Sequence, residues 1–188
     1  MVSLNTPLCE FGWSAPDFNL LGVDGEQWSP NKIKGEWGLV IMFICNHCPY
    51  VKAILPRLIE DLKQLKQLGI NSIAISSNDV INYPDDSYVN MQKVAEINKF
   101  DFPYVFDETQ GTAAAYKAIC TPDFFGFNAN LELQYRGRFD STGRGESSLN
   151  NSRDLFEAMK LVSETQTGPK EQFSSIGCSI KWIKDQEN

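Results

Sequence analysis

An apolar run that ends at two cysteines constrains the fold of this chain more than any other feature. Residues 38–44 read Gly-Leu-Val-Ile-Met-Phe-Ile, which is typical of a strand buried on both faces. From Pro49 the apolar residues recur at three- and four-residue steps, which indicates an amphipathic helix that ends at Gly69. Cys45 and Cys48 stand between the two elements. This spacing at a strand-to-helix junction predicts a redox-active dithiol.

The remaining elements predict an α/β chain with a mixed central sheet flanked by helices. The sheet is expected to be parallel in its first part and to finish with antiparallel strands, with an N-terminal β-hairpin and a C-terminal extension. Asp24–Gly25 is the signal for the first hairpin, and two strand-like runs joined at residues 128–130 are the signal for the second. After the first helix, the predicted elements are a strand over 70–77, a helix over 87–100, a strand over 102–106, a hairpin over 124–139 and a last helix over 152–162.

Ser87 is a candidate cap for the second long helix. Its hydroxyl is suited to the first unpaired backbone amides, and Asp85 and Asp86 precede it. We interpret the two aspartates as negative charges that stabilise the positive end of the helix dipole.

Length and charge limit the classes of partner. With 188 residues, a single domain over 1–188 with 164–188 as a C-terminal tail is expected. The formal net charge of −7 argues against nucleic acid, which requires a basic face. No apolar run approaches the roughly 18 residues of a membrane span, so no membrane partner is expected. The N-terminal residues lack the basic head and apolar run of a signal peptide, which makes a cytoplasmic location the expectation.

The two cysteines have distinct expected roles. Cys45 is predicted to be the exposed nucleophile because it leads the helix, whose unpaired amides and dipole stabilise a thiolate. Cys48, one turn later and more buried, is predicted to resolve the mixed disulfide. His47 lies between them and is predicted to tune their pKa values, because imidazole titrates near neutral pH.

Metal binding is the main alternative interpretation of the pair. Cys-x-x-Cys is also half of a common zinc site, but Cys9, Cys120 and Cys178 are single and widely spaced, so the second half is missing. A c-type haem is excluded because its attachment motif needs histidine directly after the second cysteine. We therefore expect neither a metal nor another cofactor, while a zinc-structural or binding module remains the hypothesis of another class.

Several segments together resemble a known family. Cys45-Asn46-His47-Cys48-Pro49 after a buried strand resembles the active site of the thioredoxin superfamily. Ala15–Phe18 with Asp24–Gly25 is similar to the opening of the redoxin branch, which holds the alkyl hydroperoxide reductase and thiol-specific antioxidant proteins. The segments that resemble a subgroup with Asn-His between the cysteines are 83–87, 102–104, 121–125, 135–138 and 177–182.

This resemblance implies a thioredoxin fold and a substrate site. In the superfamily a cis-proline faces the cysteine pair, and the backbone of the preceding residue binds the substrate chain. Thr121 and Pro122 match these positions. The expected activity is thiol:disulfide exchange through Cys45 and Cys48, with protein or small-molecule thiols and disulfides as substrates. A further redox partner and a monomer or homodimer are expected.

The same branch contains peroxidases, which supplies the alternative function. In those proteins a threonine stands three residues before a peroxide-attacking cysteine that proline follows, and an arginine helps to bind peroxide. Cys48 and Pro49 match the cysteine and proline, whereas Cys45 replaces the threonine. The arginine has no counterpart unless Arg136 or Arg138 reaches the cysteines, so dithiol exchange is favoured.

Two further cysteines are possible auxiliary redox groups. Cys120 lies two residues before Pro122 and could approach the pair, whereas Cys178 in the tail could act as a relay or a dimer link. A buried, small apolar role is favoured for each, since free cysteine is among the most buried residue types.

Overall fold

The computed structural model describes residues 3–145 and 151–183. The predicted order of strands and helices is confirmed. The strands are β1 Ser3–Asn5, β2 Leu20–Gly22, β3 Gln27–Trp28, β4 Gly38–Phe43, β5 Ile70–Ser76, β6 Tyr104–Phe106, β7 Cys120–Thr121, β8 Asp123–Asn128, β9 Leu133–Gly137 and β10 Ile176–Ser179. The helices are α1 Pro30–Ile33, α2 Pro49–Gln67, α3 Tyr88–Ile97, α4 Gly111–Ala115 and α5 Asp154–Thr165, with a short 3₁₀ helix at Pro84–Asp86.

A seven-stranded mixed sheet organises the molecule, in the order β3-β2-β6-β5-β4-β8-β9. Strands β4, β5 and β6 are parallel, β8 and β9 continue the sheet antiparallel on one side, and the β2–β3 hairpin closes the other. The parallel first part, the antiparallel end and both hairpins are therefore confirmed.

Strand β4 lies inside the sheet, between β5 and β8, and every one of its side chains is apolar or absent. Alternate residues of a strand point to opposite faces. Val40 and Met42 accordingly join the core under α2 and α5, whereas Leu39, Ile41 and Phe43 join the core on the other face. Burial of each such side chain contributes roughly 1.5–3 kcal/mol, so a polar residue in this strand would destabilise the fold.

Helix α2 packs one apolar stripe against that sheet. Leu58, Leu62 and Leu65 are buried along it, and the helix ends with Gly69 at a φ of +75°. A positive φ suits glycine, which has no side chain to clash there. The stop predicted at Gly69 is confirmed, and the start at Pro49 places the preceding cysteines at the sheet edge.

A second, three-stranded sheet in the order β1-β10-β7 was not predicted from the sequence. It ties the C-terminal tail to the N-terminal strand and to the segment before Pro122. A Cβ on Gly177 would overlap the carbonyl of Thr121, so glycine permits this close approach of β10. The tail therefore packs against the body of the protein, although residues 184–188 of the expected tail lie outside the described residues.

No helix in the described ranges has both the length and the apolar character needed to cross a bilayer.

Candidate active site

The cysteine pair lies in the turn between β4 and α2, and Cys48 is the N-cap residue of the helix. Pro49 occupies the first helical position, where its missing N–H costs nothing and its fixed φ suits the helix. Because the helix begins at Pro49, Cys45 lies in the preceding turn and is not part of the helix. The prediction that Cys45 is exposed is wrong, because only 2% of its surface is accessible and Cys48 is fully buried.

Thr121 contacts both sulfurs. Its Oγ1 lies 3.4 Å from the Sγ of Cys45, and its carbonyl oxygen accepts a hydrogen bond from the Cys48 thiol at 3.0 Å. The peptide bond between Thr121 and Pro122 is cis, as the resemblance implied. Strand β7 therefore brings a backbone carbonyl and a hydroxyl to the two cysteines from 73 residues further along the chain.

A hydrogen bond joins the two thiols. The thiol of Cys45 donates a hydrogen bond to Cys48, which lowers the pKa of Cys48 to about 4 against the opposing effect of burial. The hydroxyl of Thr121 and the backbone N–H of Val51 also favour the Cys48 thiolate. The same hydrogen bond raises the pKa of Cys45 well above its usual range, and burial and the charge of Asp86 raise it further. The reduced pair is thus prepared to lose one proton and to retain the other.

Asp86 is a site residue that the sequence interpretation missed. It is completely buried, and its Oδ1 accepts from the backbone N–H of Asn46 at 2.8 Å and of His47 at 3.2 Å. Its Oδ2 accepts from Nδ1 of His47 at 2.7 Å and from the side-chain amide of Asn78 at 2.8 Å. The carboxylate therefore holds the turn between the cysteines, whereas we expected it only to complement a helix dipole.

His47 is fixed on both sides. A carboxylate only accepts, so we place the shared proton on Nδ1 of His47, which donates it to Asp86. The same nitrogen lies 3.9 Å from the Sγ of Cys45. The imidazole stacks on Tyr83, with ring centroids 5.7 Å apart and planes 8° from parallel. His47 is thus beside the cysteine that it was predicted to tune, with a carboxylate as its second partner.

Cys45, His47 and Asp86 are also a possible metal-ligand set among the described residues. One ligand atom from each lies within 4.8 Å of the other two. Thiolate, imidazole and carboxylate are ligands that zinc accepts. However, both oxygens of Asp86 already accept two hydrogen bonds each, so an ion here would have to displace donors that hold the turn.

The two candidate arginines lie elsewhere. Arg136 is buried in an ion pair with Asp123 at 3.0 Å, and Arg138 pairs with Asp154 at 2.7 Å. Within residues 3–145 and 151–183, no arginine forms a hydrogen bond or an ion pair with Cys45. The same holds for Cys48. The peroxidase arginine sought in the sequence is therefore not supplied by either residue.

The two additional cysteines face different directions. Cys178 pairs with Thr121 across β10 and β7, and its thiol forms a hydrogen bond with Cys48. Cys120 pairs with Ser179 instead, and its thiol donates to the carbonyl of Pro122 at 3.6 Å. The structure thus brings one of the two auxiliary candidates to the dithiol, and it directs the thiol of the other to a backbone carbonyl.

A mixed sheet flanked by helices, with a dithiol between its central strand and the following helix, defines a thioredoxin-like protein. Residues 11–139 match the AhpC/TSA family. The chain belongs to this family. No curated protein matches the chain.

Solved structures agree with this assignment. An uncharacterized conserved protein from Geobacillus kaustophilus is 39% identical over 98% of both chains, with a TM-score of 0.93. Peroxidoxin BcpB from Mycobacterium tuberculosis is 15% identical, with a TM-score of 0.60 over 82% of this chain and 96% of that one.

The name of a third solved structure refers to a thiol-disulfide oxidoreductase. The thioredoxin domain of a thiol-disulfide oxidoreductase from Bacteroides vulgatus is 17% identical, with a TM-score of 0.57 over 67% of this chain and 86% of that one. At such identities this likeness and the one to the peroxidoxin show the fold alone. The AhpC/TSA family, to which the chain belongs, supports a general thiol redox function and an oxidoreductase.

Proposed function

We propose that the chain is a thiol:disulfide oxidoreductase that cycles Cys45 and Cys48 between dithiol and disulfide. The observation that carries the proposal is the contact of Thr121 with both sulfurs of a hydrogen-bonded pair of thiols. A thiolate is the attacking form of cysteine, and a second thiol beside it is what completes exchange within one protein.

In the first step Cys45 attacks the substrate. Its proton passes along the thiol–thiol hydrogen bond to Cys48, whose thiol then donates to the carbonyl of Thr121. The Cys45 thiolate forms a bond with one sulfur of the substrate disulfide, and the other substrate sulfur leaves as a thiolate. Cys45 is the proposed nucleophile because it lies beside His47, whose side chain is 16% exposed, whereas Cys48 is fully buried.

In the second step Cys48 resolves the mixed disulfide. Cys48 gives its proton to the first substrate thiolate and becomes a thiolate itself. This thiolate attacks the Sγ of Cys45, the bond between the two cysteines forms, the bond from Cys45 to the substrate breaks, and the second substrate sulfur leaves as a thiolate. The substrate disulfide has then gained two electrons and the protein dithiol has lost two. A dithiol or disulfide partner returns the pair to its starting state, so the same steps run in either direction.

Thr121 and Pro122 are the proposed substrate-binding residues. Support comes from the position of Thr121, whose hydroxyl and carbonyl both lie at the sulfurs that would meet the substrate. A substrate chain that passes along this backbone would present its own sulfur to Cys45.

A low thiolate pKa also bears on the redox potential. Hydrogen bonds that stabilise the Cys48 thiolate favour the reduced protein over the disulfide. We therefore propose a potential above that of thioredoxin, which is about −270 mV. A glutathione redox titration measures it, and a value at or below that of thioredoxin contradicts this part of the proposal.

One observation favours peroxide reduction as a second candidate. Cys48 is the residue at the N-cap position of α2 and has a pKa lowered to about 4, as a peroxide-attacking cysteine requires. The same residue would then be oxidised to a sulfenic acid, and Cys45 would condense with it and release water. The absence of an arginine contact on either sulfur, within the described ranges, favours exchange.

Single serine variants separate the two candidates. Exchange predicts that Cys45→Ser loses reduction of a small disulfide such as glutathione disulfide, and that Cys48→Ser accumulates a mixed disulfide on Cys45, detected by mass spectrometry. Peroxide reduction predicts that Cys48→Ser alone abolishes hydrogen peroxide consumption and that Cys45→Ser retains it. Activity of the wild type on peroxide but not on disulfides would contradict the proposed exchange.

Metal analysis addresses the non-catalytic alternative. The purified protein is measured for zinc before and after dialysis against a chelator. Stoichiometric zinc that protects Cys45 and Cys48 from alkylation would favour a zinc-structural module, because bound thiolates do not exchange.

A further inference from the structure

Three buried thiols meet at this site, and the third comes from the C-terminal tail. Cys45, Cys48 and Cys178 belong to one buried cluster and are each at most 2% exposed. The sequence separates Cys178 from the pair by more than a hundred residues, and only β10 brings it back. Cys178 is therefore either a buried structural residue or a third redox thiol.

The strand register directs Cys178 toward the dithiol. In an antiparallel pair, residues that stand opposite each other place their side chains on the same face. Cys178 stands opposite Thr121, whose hydroxyl contacts Cys45. Gly177 allows β10 to approach the carbonyl of Thr121, the same carbonyl that binds the Cys48 thiol. Close approach of the two strands and a shared face therefore bring Cys178 to Cys48.

Cys48 is the central sulfur of the three. It forms thiol hydrogen bonds with Cys45 and with Cys178. Burial raises the pKa of Cys178 to about 11, and its hydrogen bond with Cys48 contributes to the rise. Cys178 is thus a protonated donor to Cys48, at hydrogen-bond distance from the sulfur that the exchange reaction oxidises.

We propose that Cys178 is a third redox thiol, which forms a Cys48–Cys178 disulfide as an alternative to Cys45–Cys48. This inference rests on the proposed exchange function, because the first disulfide must form before the second can replace it. The geometry that carries it is the contact of Cys178 with the central sulfur, set by the β10–β7 register.

The exchange between the two disulfides is balanced within the protein. The sulfur of Cys178 attacks the Sγ of Cys48, the bond from Cys48 to Cys45 breaks, and the proton of Cys178 passes to the Cys45 sulfur. No electrons leave or enter the protein. The disulfide moves from Cys45 to Cys178, and Cys45 becomes a free thiol beside His47 without a new reductant.

Cys120 supplies a matched control. Cys120 is buried and precedes Thr121 in β7. It stands opposite Ser179, and its thiol donates to the carbonyl of Pro122. Replacement of Cys120 removes a thiol of equal burial from the same strand pair. A role in the relay is therefore expected for Cys178 and not for Cys120.

The first experiment uses Cys45→Ser, in which Cys48 and Cys178 are the contacting thiols. The full-length variant is oxidised with glutathione disulfide, quenched with acid, alkylated after unfolding and mapped without reduction by mass spectrometry. We expect a peptide pair linked through Cys48 and Cys178, also in Cys45→Ser/Cys120→Ser. We expect a glutathione adduct without the link in Cys45→Ser/Cys178→Ser. A glutathione adduct on Cys48 of Cys45→Ser that does not convert to the link contradicts the relay.

The second experiment uses the wild type, in case glutathione reaches the buried Cys48 poorly. The protein is oxidised to one disulfide, quenched and alkylated in the same way. We expect two populations, one with Cys178 alkylated and one with Cys45 alkylated. A Cys45–Cys48 disulfide as the sole species overturns the relay and leaves the exchange function standing. Failure to form Cys45–Cys48 at all overturns the exchange function itself.

Discussion

Two buried aspartates, Asp86 and Asp123, are each paired with a basic side chain, yet only one pair lies at the cysteines. Asp86 accepts from His47 and from the backbone of the turn that holds the dithiol. Asp123 binds Arg136, which also packs over the ring of Phe125. Both carboxylates are 0% exposed, so each needs a partner to offset the cost of desolvation.

The difference explains why Arg136 does not reach the cysteines. The guanidinium of Arg136 donates to the carboxylate of Asp123 and to the carbonyl of Lys117. Both acceptors hold it away from the cysteines. Burial raises the pKa of Asp123, and the charge of Arg136 acts in the opposite direction. One aspartate thus stabilises the sheet, and the other positions the turn of the active site. Variants of the two pairs should therefore separate stability from chemistry.

Arg136→Met should have the largest effect. It leaves the buried carboxylate of Asp123 without its counter-charge, and loss of one partner of a buried ion pair costs about 3–5 kcal/mol. We expect that loss in the free energy of unfolding measured with urea, with little change in the exchange rate of the folded protein. Arg138→Met is the control, because its pair is partly exposed and such pairs contribute about 0–1 kcal/mol. Equal destabilisation by the two variants would contradict this assignment.

Asp86→Asn should have a smaller effect on stability and a larger one on exchange. An amide nitrogen at Oδ2 would face the donors of His47 and Asn78, and a lost charged hydrogen bond costs about 1.5–3 kcal/mol. Loss of the nearby negative charge should also lower the pKa of Cys45. The rise of its alkylation rate with pH should therefore begin at a lower pH than in the wild type. We expect slower disulfide exchange, by about tenfold if 1.4 kcal/mol of positioning is lost.

The exposed neighbour Asp85 provides the control for that variant. Its side chain lies outside the hydrogen bonds of the turn, to which it contributes only a backbone carbonyl. Asp85→Asn should therefore leave both the pH profile and the exchange rate unchanged. A pH profile of Asp86→Asn that matches the wild type would show that the carboxylate is only structural.

The stability of the reduced protein should rise with pH. Above about pH 4 the folded protein carries the Cys48 thiolate, whereas an unfolded thiol keeps its proton to about pH 8.5. The unfolded state then binds more protons, so the free energy of unfolding increases by up to about 1.4 kcal/mol per pH unit in that window. Thermal unfolding of reduced and oxidised protein between about pH 5 and 8 measures the difference.

Cys45→Ala and Cys45→Ser form a matched pair for the same measurement. Alanine removes the donor to Cys48 and should raise the pKa of Cys48, which reduces the dependence of stability on pH. Serine retains a donor and should preserve more of it. An unchanged dependence of stability on pH in Cys45→Ala would contradict the effect of the Cys45 hydrogen bond on the pKa of Cys48.

Tyr83→Leu should have the smallest effect of the series. It removes a stacked ring from His47, a contact worth about 0.5–1.5 kcal/mol beyond burial. We expect a small loss of stability and a modest decrease in the exchange rate, since the bond from His47 to Asp86 remains. Tyr83→Phe retains the ring and is the control. If Tyr83→Leu slowed exchange more than Asp86→Asn, the stacking contact on His47 would matter more for exchange than its hydrogen bond to Asp86.

Much of the fold could be predicted because its signals are local. The apolar run of β4, the stripe of α2 and the two hairpins were all identified from periodicity and turn residues. The cis bond before Pro122 could be expected from the resemblance and not from composition. The three-stranded sheet was missed because β1 and β7 span only three and two residues, too few for a period to be recognised.

The site was predicted less completely than the fold. The three residues Cys45, His47 and Cys48 were identified from their spacing, but the exposure of Cys45 was wrong because the β10 and β7 segments cover the pair. Asp86 was assigned to a helix end, since a sequence does not show that a carboxylate is buried 39 residues from its partner.

The amino-acid sequence by itself determined a dithiol between a buried strand and an amphipathic helix, because side-chain period and proline position act over a few residues. Only the tertiary structure decided what surrounds those sulfurs. The carboxylate of Asp86, the carbonyl of Thr121 and the thiol of Cys178 reach the pair from three separate elements. The positions of these three groups depend on the packing of the whole core. This long-range packing therefore sets the pKa values of the two cysteines.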